Sequence, residues 1–153
     1  MDKRTEFNNA LKDALKSKDQ VAMGTIRLIL AALKDRDIEA RGKGNADGIG
    51  ESEILGLLQS MVKQRQESCK IYAEAGRTDL ADREAAEIDV IRRFLPQQMG
   101  EDEVQQKVDD LISELGVSEI RDMGRVMAEL KARYAGQVDM AKASNVVKDR
   151  LAN

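Results

Sequence analysis

The sequence predicts an all-α protein, and three observations predict it. Ala, Leu, Ile, Val, Met, Glu, Lys, Asp and Arg dominate while aromatic residues make up 3% with no Trp, a composition that loses little on entering helices. There is one Pro, and the eleven Gly fall mostly between periodic segments, where helix stops belong. Period-two alternation of β-branched residues is nowhere sustained. At 153 residues and 42% hydrophobic, the chain can bury one modest core or two small ones. The arrangement expected is a long helical hairpin subdomain over residues 1–95, followed by a small helical bundle over 96–153.

Phe7, Ala10, Leu11, Ala14 and Leu15 recur at steps of three and four, so a first amphipathic helix is expected from about Asp2 to Ser17. Ser17 with Gln20 matches a capping box, and Asp19 competes as the N-cap of a second helix running to about Arg41. Met23, Ile26, Leu30, Leu33 and Asp37 trace one line along that helix, and Ala22, Ile29 and Ala32 widen it. A helix apolar over so wide a stripe should pack against more than one neighbour. Residues 42–50 hold four glycines and no usable periodicity, which reads as a mobile loop. Ser52 is the expected N-cap of a third helix carrying Ile54, Leu58, Met61, Arg65, Cys69 and Tyr72 inward and ending at Gly76, paired with the second helix as a long hairpin.

Thr78 or Asp79 restarts the helix, Leu80, Glu84, Ile88, Ile91 and Leu95 mark its inner side, and Pro96 stops it. The residue before a proline is biased out of the helical region, so Leu95 to Met99 is the expected subdomain boundary. Beyond it the elements shorten. Val104, Val108, Leu111, Ile112 and Leu115 form a helix closed by Gly116; Met123, Val126, Met127, Leu130 and Tyr134 form one closed by Gly136; Asp139 caps a last helix with Ala143, Val146, Val147 and Leu151 inside. The aromatic residues Phe7, Tyr72, Phe94 and Tyr134 all fall on predicted inner stripes, which disfavours base stacking.

Much chemistry is excluded. The chain has no histidine, which removes the usual general base, histidine-containing metal sites and the Ser-His and Cys-His pairs. Cys69, the single cysteine, reads as a packed thiol with no base beside it. The glycine loop lacks the Lys-Ser or Lys-Thr ending of a P-loop and follows no strand. Read as a calcium loop it would begin with Lys43 and end at Ile54, neither of which is a ligand for calcium. Carboxylate pairs such as Glu101 with Glu103 and Glu84 with Glu87 fit solvated helix faces. No cofactor and no metal are expected. Neither a membrane span nor a secretory signal is expected, and with one cysteine the simplest location is the cytoplasm.

With 25 basic and 28 acidic residues the net charge is −3, so contact with nucleic acid must be local. Arg27, Lys34 and Arg41 are spaced by seven on the second helix, and Lys63, Lys70 and Arg77 by seven on the third. Seven residues is nearly two turns, so each set forms a stripe. Facing one way, the six cations would line a rod suited to a phosphate backbone, against the plainer reading of a charged exterior.

Several short segments carry a family resemblance: Lys63-Gln64-Arg65-Gln66-Glu67-Ser68, Tyr72-Ala73-Glu74-Ala75-Gly76-Arg77-Thr78-Asp79-Leu80-Ala81, and Phe94-Leu95-Pro96-Gln97-Gln98-Met99. With Asp122-Met123-Gly124-Arg125-Val126-Met127, Gly136-Gln137-Val138-Asp139, Val146-Val147-Lys148 and Ile26 to Leu33, they resemble the GatB/YqeY family over nearly the whole chain, at the length of its stand-alone YqeY-like branch. The resemblance implies an all-helical appendage like the tail of the B subunit of the glutamine-dependent amidotransferase that amidates Glu-tRNA(Gln) or Asp-tRNA(Asn), a tail that engages tRNA. It implies tRNA, a tRNA-handling protein or amidotransferase subunits as partners, and no catalysis by this chain alone. Carried over residue by residue, it singles out Gly124, Arg125, Lys142 and Lys148 for RNA contact, with Gly136 and Asp139 beside them; Gly124, Gly136 and Asp139 each have a structural role open to them as well. The chain departs from the family at Gln137-Val138-Asp139-Met140-Ala141-Lys142, where members often resemble Ala-Asp-Gly-Lys. Two further readings stay open: a helical protein-interaction module with no RNA role, and a component of a larger carbon-nitrogen ligase complex using glutamine as amido-nitrogen donor.

Overall fold

The computed structural model describes residues 2–152, and within them every regular element is a helix, with no strand. The chain forms two compact units that divide between Leu95 and Pro96. The first holds α1 (Lys3–Ser17), α2 (Gln20–Gly42), α3 (Glu51–Glu74) and α4 (Thr78–Arg92). The second holds α5 (Glu101–Leu115), a single 3-10 turn at Ile120–Asp122, α6 (Met123–Tyr134) and α7 (Met140–Ala152).

Helix starts follow side-chain chemistry where a carboxylate is on hand. Asp2 accepts from the Thr5 N–H at 2.9 Å and Asp19 from the Ala22 N–H at 3.1 Å, each satisfying a donor the helix cannot. Asp19 therefore takes the position for which Ser17 competed, and Ser17 lies in the last turn of α1 with its hydroxyl on Ala14 O. α3 starts one residue before the expected cap, at Glu51, with Gly50 extended ahead of it and no side-chain cap; Glu51 and Glu53 favour that end through the helix dipole. α3 closes at Gly76, where a φ of +73° lets the Gly76 N–H reach Ala73 O and the Arg77 N–H reach Tyr72 O. The same closure of α1 falls on Lys18 at φ +60°, a conformation that a residue with a Cβ rarely adopts.

In the first unit Phe7, Ile26, Ile29, Ile54, Leu58 and Ile91 are fully buried, and Phe7 meets Phe94 edge to face at 5.0 Å. Each such side chain contributes about 1.5–3 kcal/mol on leaving water. The packing corrects the expected hairpin: α3 runs chiefly along α4, and α2 packs on α1 and α4. The three residues 75–77 joining α3 to α4 permit only a close antiparallel return, whereas the longer segment between α2 and α3 does not enforce one. Cys69 is half-buried rather than enclosed, its Sγ 3.5 Å from Ala81 O, and Tyr72 and Tyr134 are half-buried as well.

The glycine loop is fixed at its far end. Asp37, buried on the inner line of α2, accepts from Arg4 Nη2 at 2.6 Å and from the Ile49 N–H at 2.9 Å, while Arg4 also donates to Ile49 O at 2.9 Å. Burial works against the charge on Asp37, but the Arg4 and Ile49 hydrogen bonds outweigh it and hold the carboxyl below its ordinary range. Gly48 is required twice over: its φ is +82°, and a Cβ there would run into the Asp37 carboxylate. Ile49 then enters the core.

The second unit is built round Val108, Leu111, Val126, Leu130, Val138, Ala143 and Val147, all aliphatic and all buried. The short connection 135–139 and the contacts of α7 with the 3-10 turn at the start of α6 make α7 run back along α6.

Candidate nucleic-acid interface

The residues singled out in the C-terminal unit sit on well-defined local structure. Glu119 and Asp122 form a reciprocal capping box across the 3-10 turn, which launches α6. Gly124 and Arg125 follow in the first turn of α6; both are exposed, and nothing lies within 4 Å of where a Cβ on Gly124 would stand. Asp139 Oδ1 accepts from the Ala141 N–H at 3.0 Å and the Lys142 N–H at 3.3 Å, so Asp139 caps α7 and Lys142 stands exposed on its first turn. Gly136, buried with φ +80°, turns the chain between α6 and α7. There Gln98 Nε2 donates to Gly136 O and the Met99 N–H to Gln137 O at 2.9 Å, while Val138 inserts into the core. Two of the family-like segments, Pro96 to Met99 and Gly136 to Asp139, thus hold each other, and their roles are structural.

The cations of this unit divide sharply. Arg133 is bound by Glu114 through two hydrogen bonds of 2.7 and 2.8 Å and by Glu129 at 3.1 Å; the guanidinium holds the Glu114 carboxyl below the usual range. Arg150 is bound to Asp109 at 2.8 Å, Arg121 to Glu119, and Lys107 lies 5.8 Å from the centre of the Tyr134 ring. The side chains of Arg125, Lys142 and Lys148 are exposed and make no hydrogen bond or ion pair with the described residues. Lys131 is free in the same way, although no motif marks it. Since α7 runs back along α6, Arg125 and Lys142 lie towards opposite ends of the pair, about 10 Å apart along the axes by helix rise, with Lys148 near the level of Arg125.

The six cations of the two stripes in the first unit are all exposed, but they are not equivalent. Arg77 is bound to Asp79 by bonds of 3.2 and 3.1 Å, and Arg41 donates to Ala46 O. Lys63 is also engaged, which leaves Arg27, Lys34 and Lys70 without a hydrogen bond or ion pair to the described residues. Because α3 lies along α4, the two stripes do not form the two sides of one hairpin.

The richest family-like segment proves to be the clamp of the α3–α4 hairpin. Arg65 pairs with Glu87 at 3.0 Å and also donates to Met61 O, so Arg65 is committed to the fold. This pair lies in a groove of about 430 Å³ lined also by Leu28, Ser68, Tyr72, Arg83 and Glu84. Among the described residues no group of three or more acidic or cysteine side chains could hold a metal ion, and no helix is long and apolar enough to cross a membrane.

Fold and site define two small helical units whose surface keeps a few unneutralised cations. The chain belongs to the Yqey-like protein family, whose pattern matches residues 4–151. It is similar to proteins named altered inheritance of mitochondria protein 41, mitochondrial. That of Lachancea thermotolerans is 32% identical over 117 residues, covering 75% of this chain and 60% of the relative. That of Candida glabrata is 34% identical over 85 residues, covering 56% and 45%, and that of Saccharomyces cerevisiae strain YJM789 is 31% identical over 87 residues, covering 57% and 45%. The chain spans about half the length of these curated relatives. Their names overturn the expectation of a cytoplasmic location. That expectation leaned on a single cysteine, which argues only against a disulfide framework and does not choose among reducing compartments.

Proposed function

We propose that this chain is a YqeY-like accessory module, without catalysis of its own, that binds tRNA or the tRNA-dependent amidotransferase machinery. One observation carries the reading. In the C-terminal unit the side chains of Arg125 and Lys148, which lie in family-like segments, and of Lys142, in the stretch where the chain departs from the family, are exposed and unpaired, whereas Arg133 and Arg150 are neutralised by their neighbours. Cations strung along a helix pair at this spacing suit a phosphate backbone read by charge and shape. The amidotransferase side of the proposal rests on the resemblance alone; copurification with amidase and synthetase-like subunits would support it.

The test is a titration of the full chain against a bulk tRNA pool at two salt concentrations, with duplex DNA as competitor. Salt-sensitive binding that prefers tRNA is expected, and Arg125→Glu and Lys142→Glu should each weaken it and lower the salt slope by about one. Unchanged tRNA affinity in both variants rejects this surface, and no binding even at low salt rejects the RNA reading.

A further inference from the structure

We infer that the outer face of α2 is a docking surface for an acidic amphipathic helix. α2 is apolar on two sides. Its inner side supplies Met23, Ile26, Ile29 and Leu33 to the core, yet Val21 and Leu28 stay 43 and 47% exposed on the other, where the exposed Asp35 closes the apolar run. With Gly24 and Ala31, also exposed, the outer residues run Val21, Gly24, Leu28, Ala31 at alternating steps of three and four, the spacing of a helix–helix seam. Between Gln20 and Leu33 the only charged residue is Arg27. A solvent-facing helix side is ordinarily polar, so this side is shaped for cover.

The geometry selects a helix as the occupant. Val21 and Leu28 stand about 10 Å apart along the axis and form ridges, and Gly24, with open space above it, lies between them as a hollow that admits an apolar side chain of a second helix. Charge selects its chemistry. Arg27 and Lys34 line one edge of the seam, and neither has an ion-pair partner among the described residues. A partner helix with Leu or Ala along its seam and Glu or Asp along its flank would meet both features at once. A second copy of this chain laid antiparallel on the same face would set Arg27 and Lys34 of one copy against Lys34 and Arg27 of the other, so the face discriminates against itself. Nucleic acid fits the seam poorly, because Val21, Leu28 and Ala31 offer a backbone neither charge nor hydrogen bonds. The inference is independent of the RNA reading, which concerns Arg125, Lys142 and Lys148 in the other unit.

The test uses the full chain and two fluorescein-labelled peptides of three heptads with the same Leu/Ala seam, one flanked by Glu and one by Lys, followed by fluorescence anisotropy. The Glu-flanked peptide should bind at least about tenfold more tightly than the Lys-flanked one. Leu28→Glu should weaken it by about tenfold or more, Leu28→Ala by less, and Arg27→Glu with Lys34→Glu should reverse the peptide preference. Leu28 is half exposed, so circular dichroism should record unchanged helicity in these variants. The inference is overturned if neither peptide binds, if both bind alike, or if Leu28→Glu leaves affinity unchanged. It is equally overturned if sedimentation shows a dimer that Leu28→Glu dissolves, or if the α2 variants abolish tRNA binding while the peptides do not bind.

Discussion

The two units solve the same packing problem with different materials. The first encloses a charge: Asp37, buried, binds Arg4 and the Ile49 N–H and so ties α1, α2 and the loop after α2 into one network. The second encloses only aliphatic side chains and keeps its ion pairs, Arg133 with Glu114 and Glu129 and Arg150 with Asp109, on the surface. Removing a buried carboxylate leaves its partners unsatisfied out of water, whereas an exposed pair exchanges one set of solvated contacts for another. Point changes to polar residues should therefore be costly in the first unit and nearly silent in the second.

The strongest way to break the contrast is Gly48→Ala. It forces a Cβ into a positive φ and against the Asp37 carboxylate, and should cost the first unit about 3 kcal/mol. Hydrogen exchange followed by mass spectrometry, which reads each unit separately in the intact chain, should show faster opening of α1 and α2 with α5 to α7 unaffected. Asp37→Asn keeps the shape and removes the charge, for a loss of about 2 kcal/mol. It also carries a pH signature. The folded carboxyl titrates below its ordinary value, so its contribution is complete above about pH 4 and is lost as the pH falls through the lowered value. Acid titration of urea stability should be steeper for the parent chain than for Asp37→Asn in that window. At the small end, Arg133→Ala should leave the urea midpoint of the second unit within error, and added salt should not alter that outcome. A large loss there would show that the surface pairs act as a network and would erase the distinction between the units.

How far these features could be read in advance follows the same division. The seven α-helices of the described residues and most of their ends were legible because they depend on neighbours in sequence: Gly76, Gly116 and Asp139 stop or start helices where their backbone and side-chain chemistry says they should. Partnership was less legible. The inner stripe of α3 marks which side is buried, not what covers it, and the short turn 75–77 was the signal for α4 that the stripe itself could not supply. Asp37 stood out as an acid on an apolar line, but Arg4 lies 33 residues away and no period connects them. The candidate interface was legible as a set of cations and illegible as a selection among them. Glu114 and Asp109 neutralise Arg133 and Arg150 across 19 and 41 residues, and only folding reveals which charges remain. Likewise Ala22, Ile29 and Ala32 announced that α2 has more than one neighbour, and it does pack on both α1 and α4, whereas Val21 and Leu28, which no stripe marked, stay open.

The clamp on Ile49 has a consequence for how this fold tolerates change. By fixing residues 48 and 49 against α2, it leaves only the stretch from Lys43 to Asp47 as an outward-facing arc closed at both ends, with all five residues exposed. Doubling the length of such an arc costs only about 0.6 kcal/mol in closure entropy. Insertions can accumulate there while the register of α3 stays set by the anchor, so the molecule carries a built-in place to lengthen or to splice.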